Sequence, residues 1–160
     1  MIWDAELIAE DKSILGEYGL RRKKEIWAAK SLVSNFRRRA RELNATKNKE
    51  KEIVLLEKIN KLGFLQAKTL DDVLSLTIKN VLDRRLETIV FKKGFSKTPM
   101  QARQLIVHGH VTVDGRKTTF PSYLVALHEE DKVGVKIDVK NINQEPPSQP
   151  VQQEPAPAQN

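Results

Sequence analysis

The chain has 160 residues, with 28 Lys or Arg against 21 Asp or Glu and a formal net charge of +7. It contains no cysteine, which excludes disulfides and thiolate zinc sites. No apolar run approaches the ~20 residues of a membrane span and no signal peptide is read, so a cytoplasmic protein of one or two small domains is expected. A basic body with interspersed acids suits a nucleic-acid partner, and the alternative from charge alone is a generic basic soluble protein.

The spacing predicts a short helix over 1–18, with Asp4 as a candidate cap and an interruption at Gly16 or Gly19. A longer helix is predicted over 22–43. Ile26, Ala29, Val33, Phe36, Ala40 and Leu43 step by three and four residues and form its apolar seam. The basic runs Arg21-Arg22-Lys23-Lys24 and Arg37-Arg38-Arg39, with Arg41, flank that seam. They read either as a solvated face or as phosphate contacts, and few acids are near enough to pair them. After a polar break at 44–49, a third helix is predicted over 50–62, with Ile53, Leu56, Ile59 and Leu62 as its core line and Gly63 at its end. Asp71-Asp72 reads as a helix start rather than a metal site, and Thr77 is a candidate cap for a short piece over 78–82.

The stretch from Asp83 to Asp131 carries the densest signals. A helix is predicted over 83–93, with Leu86, Ile89 and Val90 on one stripe and Gly94 after the Lys92-Lys93 pair. Arg84 and Arg85 open that helix, where cations oppose the dipole, which suggests an anionic partner. The next helix starts at Thr98, with Pro99 at its first position and Gln101 three residues after the cap, a capping box. Ala102, Leu105 and Ile106 are its buried face. At 100° per residue Gln101, Gln104 and His108 share one side, and Arg103 lies on the opposite side of the apolar face. Val111-Thr112-Val113 alternates ahead of an Asp114-Gly115 hairpin turn. Further strand material follows at 124–127 and 133–137, with His128 to Asp131 as an acidic-rimmed turn. Tyr123 either closes the small core or stacks on a base. From Asn141 the composition turns to Gln, Pro, Asn, Ser and Ala, and a disordered tail is expected.

The fold class is α+β: a helical N-terminal subdomain over 1–82, a small αα-plus-β-hairpin module over 83–140, and a tail over 141–160. No Gly-rich phosphate loop, HExxH or GxSxG pattern is present, so neither an enzyme nor a bound cofactor or metal is expected.

Arg85-Leu86, Gly94-Phe95, the run from Gln101 to Ile106, His108-Gly109-His110-Val111, Val113-Asp114-Gly115 and Pro121-Ser122-Tyr123 together resemble the S-four RNA-binding domain. With Tyr18 to Arg21, Lys24 to Trp27, Phe36 to Arg41, Leu62-Gly63 and Leu70 to Leu74, the chain up to Ile137 resembles the small-subunit ribosomal S-four family in its archaeal form. Members usually carry a basic arm ahead of the position of Trp3, and many end in an acidic rather than a Pro/Gln-rich tail. The resemblance implies a primary binder of small-subunit ribosomal RNA, placed at a multi-helix junction of the 5′ domain early in assembly. It also implies contact with the small-subunit protein S-five and an influence on decoding accuracy. The RNA-binding residues expected are Arg84, Arg85, Lys97, Gln101, Arg103, Gln104 and His108 in the module. Arg21, Arg22, Arg37, Arg38, Arg39 and Arg41 are expected in the N-terminal helix and its approach. Gln101 has the alternative of only closing its capping box, and His108 that of a helix C-cap. No membrane or small-molecule partner is expected. The alternatives are a free-standing RNA-binding module acting on ribosomes and an accessory domain of an RNA-modifying enzyme.

Overall fold

The computed structural model describes residues 5–136. The candidate cap Asp4 and the tail over 141–160 lie outside these residues. The elements follow in order as α1 (Ala5–Tyr18), α2 (Lys23–Thr46), α3 (Lys49–Leu62), α4 (Leu70–Leu74), α5 (Ile78–Asp83), α6 (Leu86–Lys92), α7 (Pro99–Val107), β1 (Val111–Val113), β2 (Arg116–Lys117), α8 (Leu127–Glu130) and β3 (Val133–Val135).

Helix α2 is the spine of the first half, packed against α1, α3, α4 and α5. Its predicted seam is real: Ile26, Ala29, Val33, Phe36 and Ala40 are buried. Phe36 meets Phe64 edge to face, with ring centroids 5.9 Å apart at 69°. Helix α2 continues to Thr46 and stops at Lys47, which takes a left-handed φ of 50°.

The predicted core line of α3 holds at Leu56, Ile59 and Leu62 and fails at Ile53. Leu55 and Ile59 are buried, whereas Ile53 is exposed. Three uniform steps of three residues rotate by about 60° each against the 3.6-residue turn, so such a line walks off the buried face. Leu55, Ile59 and Leu62, at steps of four and three, stay on it. Thr69 and Asp72 form a capping box for α4, and the Asp72 carboxylate accepts the Lys68 and Thr69 N–H groups, each at 2.9 Å.

A second core begins at Leu86 and gathers Ile89, Val90, Ala102, Leu105, Ile106, Val111, Val113, Val125 and Val133. The short piece predicted over 78–82 is α5, and the helix predicted over 83–93 is α6, which starts three residues later. Helix α5 ends at Asp83, and α6 begins at Leu86 after Arg84 and Arg85. Strand-like pairing fills this break: Leu86 N–H donates to Tyr123 O at 2.8 Å and Val125 N–H to Arg84 O at 3.0 Å. Three antiparallel strands run in the order β2-β1-β3. The turn expected at His128 to Asp131 is the end of α8. The Tyr123 ring is partly exposed rather than buried, and its hydroxyl donates to the Glu129 carboxylate at 3.0 Å.

The module is seated on the helical half at Gly19. This residue has φ +64°, and a Cβ there would lie 2.6 Å from Pro99 Cβ and 3.1 Å from Met100 N. Gly19→Ala would therefore strain the backbone and overpack the junction with α7. A loss of about 3 kcal/mol is expected, measured as a lower urea midpoint.

Candidate nucleic-acid interface

The cations expected at a nucleic acid divide into two groups. Arg84 and Arg85, both expected at the RNA, are only 9% and 5% exposed and are engaged inside the fold. Arg84 donates through Nη2 to Val125 O at 2.8 Å and pairs through Nη1 with Glu130 at 2.6 Å. Its guanidinium carbon lies 3.2 Å from the Cβ position of Gly63, so it bridges the end of α3 and the 125–130 segment. Arg85 pairs with Glu25 at 2.5 Å and faces Glu87 at 3.7 Å. Their position at the start of α6 is explained by these partners, since α6 begins one residue after Arg85 and Arg85 itself is the N-cap.

Arg103 joins the same cluster. It pairs with Glu25 at 3.1 Å and with Glu87 at 3.2 Å. Helices α2, α6 and α7 thus each contribute to one four-membered network. Within it the two carboxylates differ. Burial opposes ionisation of Glu25, but hydrogen bonds from Arg103 and Arg85 outweigh it and hold its carboxyl below the ordinary value. For Glu87, 1% exposed, burial wins over the attraction of Arg103 and Arg85 and pushes the carboxyl up to about 7. Its Oε1 and the Arg85 Nε have no hydrogen-bond partner among the described residues.

Sequence reasoning missed Glu25 and Glu87 as site-forming residues. Glu25 lies in the first turn of α2, where any acid reads as a dipole partner. Glu87 lies next to Leu86 in a short helix that is buried nearly all round.

The arginines of α2 point in three directions. Arg37 turns inward and donates to Leu76 O at 2.8 Å, so it holds the link between α4 and α5. Arg39 lines a groove between α2 and α3 with Lys51 and Lys58. Arg38 and Arg41 point outward. Arg38 makes a loose 3.8 Å contact with Glu42, and Arg41 has no ion pair among the described residues. Arg21 and Arg22 are exposed at the start of α2, in the same part of the fold as Glu25 and its partner Arg103. Trp27, Ser31, Ser34, Arg38 and Arg41, spaced four, three, four and three residues apart, form one exposed stripe of α2.

On α7 the shared side is present. Gln101, Gln104, His108 and His110 line one groove. Gln101 Oε1 accepts the Lys97 N–H at 2.9 Å, and Thr98 Oγ1 accepts the Gln101 N–H at 3.2 Å. The carbonyl of the Gln101 side chain thus closes the helix start, and its amide donors remain for a ligand. His108 is the C-cap residue, with its ring nearly parallel to that of His110, centroids 6.2 Å apart. Lys97 and Gln104 are exposed. The Lys117 side chain lies across Gly109, beside the two histidines.

A family model for the S4 domain matches residues 84–131. The chain is 45% identical to the small ribosomal subunit protein uS4 of Sulfolobus acidocaldarius over 152 residues, 92% of this chain and 86% of that protein. It belongs to the uS4 family. The uS4 proteins of Ignicoccus hospitalis and Metallosphaera sedula, also archaea, are 45% and 46% identical over 82% and 83% of this chain and 82% and 77% of their own. Within the S4 domain, Arg84, Arg85 and Arg103 are the groups that build and seat the fold, while Lys97, Gln101, Gln104 and His108 face outward.

Two outcomes are expected from the buried network. Arg85→Ala leaves Glu25 and Glu87 with Arg103 but without the second arginine they share, and should destabilise the chain by about 3 kcal/mol in urea unfolding. Glu87→Gln tests the carboxyl. The folded chain holds its proton up to about pH 7, while the unfolded chain releases it near 4.5. The associated stability is full below 4.5 and lost as pH rises through 7. The difference in unfolding free energy between variant and parent should therefore move toward the variant, by on the order of 3 kcal/mol, between pH 4.5 and 8. Parallel pH profiles would exclude Glu87 as the titrating group.

Proposed function

We propose that this chain is a structural, ribosomal-RNA-binding component of the small ribosomal subunit, and not an enzyme. In this reading it engages the 5′ domain of the RNA at a junction of helices and organises the subunit body during assembly. Membership of the uS4 family supports the ribosomal role. The observation that carries the RNA-binding mode is the outward face of α2, where Arg38 and Arg41 follow two serines. Arginines hold phosphates in bidentate fashion, and counterion release drives their binding. A-form RNA hides its base edges in a deep groove, so backbone and 2′-hydroxyl contacts dominate.

The RNA-contacting set proposed here is Arg21, Arg22, Arg38 and Arg41 on the helical half, with Lys97, Gln101, Gln104 and His108 on the module. Arg39 belongs to this set only where RNA enters the α2–α3 groove. Arg37, Arg84, Arg85 and Arg103 act through the fold. The resemblance to the family extends the reading to a contact with the small-subunit protein S-five, a position beside the incoming messenger RNA and a cytoplasmic location on the ribosome. The described residues contain no helix long and apolar enough to cross a membrane.

Binding to a small-subunit 5′-domain transcript, competed with transfer RNA at two salt concentrations, tests the reading. Tight binding that survives the competitor is expected; equal, salt-labile binding to both RNAs would reduce the chain to a general basic module. Arg38→Ala with Arg41→Ala should flatten the salt slope by about 1.5 units while leaving the urea midpoint unchanged.

A further inference from the structure

We propose that Trp27 is a stacking platform for an unpaired RNA base. This inference rests on the ribosomal reading and adds a nucleobase contact to an interface otherwise made of phosphate and hydroxyl contacts.

Trp27 is 56% exposed. The buried seam of α2 is complete without it, since Ile26, Ala29, Val33, Phe36 and Ala40 fill the core side. Among the described residues, the other large aromatic residues of this half are inside: Tyr18, Phe36 and Phe64 are buried, and the last two pack on each other. The Trp27 ring has no aromatic partner among the described residues. The fold therefore leaves the Trp27 indole in water at a position where core packing does not ask for it.

The neighbours indicate what covers the ring. One and two turns along the stripe stand Ser31 and Ser34, then Arg38 and Arg41, and the exposed Arg21, Arg22 and Lys24 lie at the near end. A protein-docking centre surrounds an aromatic anchor with other apolar groups and few charges. This stripe does the reverse. A single π-face set among hydroxyl and guanidinium donors matches a nucleotide, whose base stacks while its ribose and phosphate take the donors.

The test uses the full chain with Trp3→Phe, so that Trp27 is the one emitting indole, titrated with the 5′-domain transcript. Strong quenching of its emission at saturation is expected. Trp27→Ala should weaken binding about tenfold or more, leave the salt slope and the melting temperature unchanged, and be largely rescued by Trp27→Phe. Unquenched emission together with unchanged affinity of Trp27→Ala would overturn the stacking inference and leave the ribosomal reading intact. Shielding of Trp27 in assembled subunits, with none in the RNA complex, would overturn it in favour of a protein contact. Failure of the parent chain to prefer the transcript over transfer RNA would overturn the ribosomal reading and this inference with it.

Discussion

The buried cluster of Glu25, Arg85, Glu87 and Arg103 sets how the two halves of the molecule sit on each other. Each half has its own apolar core, one ending at Leu82 and the other starting at Leu86. Apolar contacts are non-directional, so two such cores in contact leave the relative rotation loosely specified. Charged hydrogen bonds are directional, and Arg103 can meet both Glu25 and Glu87 only when α7, α6 and α2 converge in one arrangement. The cost is the desolvation of four ionisable groups. It falls mainly on Glu87, where burial favours the neutral acid. Arg84 performs a related task on the other side of the break, where it ties Val125 and Glu130 to the end of α3.

With these arginines committed inside, the outer surface can be read more sharply than net charge allows. A formal charge of +7 indicates a polyanion but no face. The fold gives Arg37, Arg84, Arg85 and Arg103 internal partners and leaves Arg21, Arg22, Arg38, Arg39 and Arg41 exposed. The exposed ones lie on the approach to α2 and along its exposed surface, and the start of α2 is joined to α7 through Glu25. The outer side of α7 offers glutamine amides and histidines instead. The helical half thus exposes arginines on α2 and its approach, and the module exposes Lys97, Arg116 and Lys117 beside the neutral side chains of α7.

The same cation types serve opposite ends, and local spacing does not distinguish them. Arg84 and Arg85 look like surface residues because a basic pair at a helix start has no local partner. Their partners are Glu25, 60 residues before Arg85, and Glu130, 46 residues after Arg84. Likewise a row of apolar residues in α3 can be counted along the chain, but the side that α2 and α4 cover decides that Leu55 rather than Ile53 is buried.

Sequence alone determined the elements whose cause is local. The α2 seam follows from its three-and-four spacing, the start of α7 from Thr98-Pro99 and Gln101, and the hairpin from Asp114-Gly115. The resemblance to the S-four family also lay within reach of short motifs in order. Tertiary structure alone decided which charges face inward, because that depends on pairings between residues far apart in the chain and on burial that shifts an acid such as Glu87. It also decided that Trp27 stands in solvent, since only the completed packing around α2 shows the core to be full without it.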